Sequence, residues 1–148
     1  MPNLVNISEA ASLGIHALAF LARSERTATN QEIADALNAS PHHLAKVMQR
    51  LGHAALISST VGPQGGFDLD RPAKDIRLLD IYEAVDGPLG EVGCLLGKPA
   101  CRGQCVLGEM IEKVNREIRQ HLSETTLARL VDSLVFASLE EPDSSASE

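Results

Sequence analysis

Residues 29–51, TNQEIADALNASPHHLAKVMQRL, contain two helix start signals eleven residues apart, which leaves room for one short helix and a tight turn before the next helix begins. Thr29 can cap the first helix, with Glu32 three residues on to reach back to its backbone. Ser40 caps the second, and Pro41 fits the first helical position because its missing N–H would be unpaired there anyway. In the first helix Ile33, Ala34 and Leu37 face inward until about Asn38. Asn38 falls where the turn needs a left-handed backbone, which Asn tolerates better than most residues. In the second, Leu44, Val47, Met48 and Leu51 form one buried stripe. The pair reads as a helix-turn-helix.

With that stripe inward, rotation by about 100° per residue puts His42, Lys46, Gln49 and His53 on the outer face. His43 and Arg50 flank them. The face holds no acid, in a chain with 20 Asp plus Glu. A polar solvated face is the plainer reading, but the missing acids favour nucleic acid. Placed in a major groove, the first turn from Ser40 would lie over base edges, with Lys46 or Arg50 on phosphate. Two strand-like runs follow, Leu56 to Thr60 and Phe67 to Leu69, separated by GPQGG. This hairpin completes a winged helix, and its tip, with Gln64 and Gly65, could lie along the adjacent minor groove.

The rest of the chain reads as helices on an aliphatic core, since there are three Phe, one Tyr and no Trp. The expected fold class is mainly α with a small β-hairpin wing. Residues 6–22 form a first helix with Asn6 as cap, Glu9 as the capping-box acid, and Ala10, Leu13, Ala17, Phe20 and Leu21 buried. A short helix from about Leu78 to Val85 stops at Gly87 and Pro88. Residues 106–122 then form a long amphipathic helix with Leu107, Met110, Ile111, Val114, Ile118 and Leu122 on one side, before a last short helix in TTLARLVDSLVF. That long apolar stripe has no evident place in one small winged helix. Its expected partner is the same helix of a second copy, which makes a homodimer suited to a palindromic double-stranded DNA operator.

The expected division is a DNA-binding domain over 5–88, a cysteine loop over 89–105, dimerisation helices over 106–136 and an acidic disordered tail over 137–148. The net charge of −7 argues against nucleic acid until the tail is set aside. EEPDSSASE carries four acids and no base, so −3 remains for the rest, and local charge is what matters to DNA. No apolar run approaches the roughly 20 residues a membrane span needs, and MPNLVNISEA lacks the regions of a signal peptide. The expected location is the cytoplasm, where thiols stay reduced.

All three cysteines, Cys94, Cys101 and Cys105, stand in GCLLGKPACRGQC, residues 93–105. Lys98 and Arg102 among them would favour thiolates. Six and then three residues intervene, unlike the close CxxC pairs of structural zinc. An iron–sulfur cluster needs four terminal ligands, of which three thiolates would supply three. On spacing alone four readings stay open: a cluster, a zinc site, a thiol–disulfide switch, or buried loop cysteines.

The stretch NQEIADALNASPHHLAKVMQRLGHAALISSTVGPQGGFDLDRPAKDIRLLDIYEAVDGP, then clustered cysteines, a long helix and TTLARLV, resembles the IscR/NsrR-type (Rrf-two) family of bacterial winged-helix transcription regulators. The resemblance runs from residue 5 to about 132, most specifically through GPQGGFDLDRPAKDIRLLDIYEAVDGP. It implies a homodimeric transcription factor and not an enzyme. It also implies that Cys94, Cys101 and Cys105 hold an iron–sulfur cluster, 2Fe–2S or 4Fe–4S, that senses nitric oxide, redox state or iron–sulfur status. A fourth ligand would come from elsewhere, often the partner's first helix. The matching position falls near Ser12, and His16 or Glu9, within a turn on the same face, can ligate; His121 reads as structural. The chain departs from the family at Val61, where an Arg is common, at Gln64 for a glycine, at a non-basic N-terminus, and at Gly108, where some members place a ligand His. Two alternatives are a cluster-free regulator answering to a metabolite or partner protein, and a small redox or metal-binding protein. The latter would leave the recognition helix idle.

Overall fold

The computed structural model describes residues 7–90, 94, 96, 100–102 and 104–134. The expected acidic tail over 137–148 lies outside the described residues. Among the described residues six helices and one hairpin follow in chain order: α1 (Glu9–Ser24), α2 (Asn30–Ala36), α3 (Pro41–His53), β1 (Ile57–Thr60), β2 (Gly66–Leu69), α4 (Leu78–Asp86), α5 (Val106–Glu124) and α6 (Leu127–Ser133), with a 3-10 turn at Ala73–Asp75 before α4.

The two helices of the helix-turn-helix form as their signals require. Thr29 accepts from the Glu32 N–H at 3.2 Å while its own N–H donates to Glu32 Oε2 at 2.8 Å, closing a capping box on α2. That helix ends in a Schellman turn. Ala39 N–H bonds the Ala34 carbonyl at 2.9 Å, with Asn38 at φ 51° between the helices. Ser40 then caps α3, with Pro41 at its start, and Leu44, Val47, Met48 and Leu51 are all buried.

The first helix departs from its expected register. Its cap is Ser8, whose Oγ accepts from the Ala11 N–H at 2.9 Å; Asn6 lies outside the described residues. Ser8 Oγ also donates to Asp86 Oδ1 at 2.6 Å, so a partner at the end of α4 fixes where α1 begins. Glu9 is therefore the first helical residue and not the capping-box acid. The buried set is correspondingly broader. It holds Ala11, Gly14, Ile15 and Leu18 as well as Ala17, Phe20 and Leu21, whereas Ala10 and Leu13 are half-buried. The helix packs on α3, α4 and α6. At Gly14 a Cβ would lie 3.1 Å from Val85 Cγ2 and 3.3 Å from Val47 Cγ1, so α1 meets both neighbours there almost backbone to side chain.

The hairpin pairs β1 antiparallel with β2, Ile57 opposite Leu69 and Thr60 opposite Gly66. Behind it, Ala28 and Phe67 exchange backbone bonds at 3.2 and 2.7 Å, which anchors the wing to the segment entering α2. The start of α4 is held to the α5–α6 junction: Leu78 N–H donates to the Thr125 carbonyl at 3.0 Å, and Leu127 N–H to that of Ile76 at 2.8 Å.

Candidate nucleic-acid interface and cysteine segment

Helix α3 delivers the outer face its sequence implies. His42, Lys46, Gln49 and His53 are exposed, and no acid occurs anywhere on the helix. Ser40 Oγ accepts from the His43 N–H at 3.4 Å, which commits the cap hydroxyl to the helix and holds His43, half-buried, beside it. Ala45 is also exposed in this face. Being apolar, it carries no signal of the kind that marks the polar residues of this face. Arg50 is placed differently from Lys46: its Nη1 donates to the Val85 carbonyl at 2.9 Å, so its guanidinium braces α3 against α4.

At the wing tip Gln64 is exposed and Val61 is 98% exposed. Gly65 has a geometric task. A Cβ there would sit 2.2 Å from the Thr60 carbonyl oxygen, a clash no side chain survives, and its N–H closes the turn on Gly62 at 2.9 Å. The tip thus presents an uncharged pair, Val61 and Gln64, on a rigid turn.

The three cysteines are all free thiols, Cys94 half-buried and Cys101 and Cys105 exposed. Cys105 caps α5, its Sγ accepting from the Gly108 N–H at 3.4 Å. The sulfur at that position faces the N-terminal end of a long helix. Among the described residues no three Cys, His, Asp or Glu side chains converge on one point. The donor set has the soft chemistry an iron–sulfur cluster requires, and holding one would require the three thiols to draw together.

The two fourth-ligand candidates, Glu9 and His16, are exposed on α1. They line a cleft of about 390 Å³ whose other wall is the α2–α3 turn, with Asn38, Ser40 and His43. His16 Nδ1 lies 2.7 Å from the Ser12 carbonyl, a bond in which the ring nitrogen donates and Nε2 takes no part. Sequence spacing put these ligand candidates near Ser12 but gave no sign that they adjoin the start of α3, since that contact joins separate helices.

The apolar stripe of α5 divides. Ile111 and Leu122 are buried, and Ile118 packs on the core of the same chain. Val106, Leu107 and Met110 are 80%, 53% and 42% exposed. The expected partner-facing stripe is thus confined to the first turns of the helix, next to the cysteine segment. Among the described residues no helix is long and apolar enough to cross a membrane.

A family profile described as Rrf2, iron-dependent transcriptional regulator, matches residues 7–133. The HTH-type transcriptional regulator YwgB of Bacillus subtilis is 32% identical over 108 residues, 70% of this chain and 69% of that protein. Among solved structures, CymR, the global cysteine regulator of B. subtilis, superposes with a TM-score of 0.76 at 23% identity, over 88% of this chain and 99% of that one. IscR of T. potens superposes with a TM-score of 0.69 at 23% identity, over 93% and 94%.

Proposed function

The chain belongs to the Rrf2 family of transcriptional regulators, and from that premise we propose that it is a homodimeric, cytoplasmic DNA-binding regulator whose cysteine segment holds an iron–sulfur cluster. The observation that carries this reading is a thiol, Cys105, placed as the cap of α5 immediately before the exposed Val106, Leu107 and Met110. A dimer formed on those residues would put the cysteine segment beside a second protomer.

Cys94, Cys101 and Cys105 would hold three positions of the cluster, and His16 or Glu9, from the partner copy, the fourth. When bound, the group supplies a centre responsive to nitric oxide, redox state or iron–sulfur supply. The chain's own parts do the rest. His42, Lys46 and Gln49 face the major groove, Ser40 and His43 stand at its entrance, and Gln64 on the Gly65 turn approaches the minor groove of a palindromic operator. Arg50, engaged with Val85, supports the helix from behind.

Anaerobic purification with an absorption spectrum and iron and sulfide analysis tests the cluster. Colourless protein free of iron after reconstitution would remove it. Operator binding at two salt concentrations tests the DNA face: Lys46→Ala should weaken binding across sequences and lower the salt slope by about 1.

A second reading is a cluster-free regulator of thiol metabolism. It is favoured by the structural likeness to a global cysteine regulator. Iron-free protein whose operator affinity still follows a small thiol metabolite would select it.

A further inference from the structure

Three side chains outside the DNA face meet at the turn that leaves α4. Arg50 of the recognition helix donates to the Val85 carbonyl at 2.9 Å. Arg119 of α5 donates through Nη2 to the Leu89 carbonyl, and its Nη1 lies 3.9 Å from Glu83 Oε1. The same Glu83 oxygen accepts from the Leu89 N–H at 3.4 Å. Between the two arginines the chain leaves α4 at Gly87, φ 84°.

We propose that Arg50 and Arg119 are positioning residues of one clasp on residues 83–89, through which the cysteine segment sets the attitude of the recognition helix. Leu89 begins the 89–105 cysteine segment and Cys105 ends it, and both are tied to α5, one through Arg119 and the other as the helix cap. A change in the segment therefore acts on a turn already gripped from two sides. On its other side, Arg50 joins that turn to α3, between the exposed Gln49 and the buried Leu51. The bond to a backbone carbonyl at a helix end is specific in direction. It satisfies an acceptor that the last turn of α4 leaves unpaired, and a planar guanidinium on a long stem can follow a small shift of it while passing the displacement to its own helix. Arg50 thereby acts on DNA through α3, without touching a phosphate. The regulatory consequence rests on the proposed sensor; the clasp itself does not, so the test uses neither iron nor DNA.

Full-length protein with reduced thiols is treated or not with N-ethylmaleimide, and hydrogen exchange is followed in α3 and, as a control, α6. In the unmodified sequence, alkylation should change exchange in α3 by about fivefold, the equilibrium effect of one net hydrogen bond, and leave α6 within about twofold. Arg119→Gln and Arg50→Gln should each remove the response of α3. Arg50→Lys, which retains a donor, should restore most of it, and it keeps the test decisive should Arg50→Gln unfold. An α3 that ignores alkylation in the unmodified sequence, or responds equally in folded Arg119→Gln protein, overturns the clasp. Loss of the sensor reading would show instead in the iron and sulfide analysis, with this exchange response intact.

Discussion

Thr27 Oγ1 donates to Asp68 Oδ2 at 2.7 Å across 41 residues of sequence. With the adjoining Ala28–Phe67 backbone pair, this bond fixes the wing to the segment entering α2, so the wing is joined to the helix-turn-helix through that segment. The geometry depends on Gly66, at φ 152°, where a Cβ would stand 2.5 Å from the Ala28 carbonyl oxygen. Gly66→Ala should destabilise the fold by more than about 1 kcal/mol, read as a lowered midpoint in thermal unfolding. A midpoint equal to that of the unmodified protein would show that the wing is not held to this segment.

Helix α3 ends in a Schellman turn that lacks its usual glycine. Leu56 N–H bonds the Leu51 carbonyl at 3.1 Å and Ala55 N–H that of Gly52 at 3.0 Å, with Ala55 at φ 57°. The left-handed backbone costs an L-residue with a Cβ about 1–2 kcal/mol, partly offset by the freedom glycine loses on folding. Ala55→Gly should therefore stabilise the protein by about 0.5–1 kcal/mol in denaturant unfolding. Destabilisation would mean that the alanine methyl makes a packing contact worth more than the strain.

The capping box of α2 carries a pH dependence of known sign. The Thr29 backbone N–H, more than any other group, holds the Glu32 carboxyl below its ordinary value of 4.5, and Arg26 adds to it. Because the folded value is the lower one, the ionised cap contributes fully above the ordinary value. That contribution is lost as pH falls through the folded value. Glu32→Gln keeps an acceptor for the Thr29 N–H but has no charge to lose. The melting-temperature advantage of the unmodified protein over this variant should shrink between about pH 6 and pH 3. A constant difference across that range would remove the charge from the account.

What could be read from the sequence was what local chemistry decides. Ser40, Pro41 and the Leu44–Leu51 stripe define α3 from within residues 40–53, and the resemblance to known regulators named the fold. Helix α1 was misread because two local rules failed there. Its cap is chosen with the help of Asp86, 78 residues away, and it is covered by α3, α4 and α6, so its burial is too wide to show as a stripe. Arg50 looked like a free cation on a helical wheel because a wheel does not show Val85. The apolar run of α5 looked like one surface because a single period cannot separate residues facing their own core, such as Ile111, from those facing outward, such as Met110.

The fourth-ligand candidates can be separated by what each nitrogen or oxygen is free to do. His16 spends Nδ1 on the Ser12 carbonyl at 2.7 Å, which orients the ring and keeps Nε2 out of that bond, the arrangement that commonly supports a metal-bound imidazole. Glu9 stands at the first position of α1, where the helix dipole already favours its charge, and ligation there would compete with that role. His16→Ala should then reduce iron and sulfide retained per protomer and alter the visible absorption of the reconstituted protein, whereas Glu9→Gln should leave both near those of the unmodified sequence. The two variants should unfold at similar temperatures without iron, since both side chains are exposed and exposed substitutions commonly stay within about 0.5 kcal/mol. Full iron content in His16→Ala with loss in Glu9→Gln would give the position to the carboxylate. Full content in both would move the fourth ligand off α1 altogether.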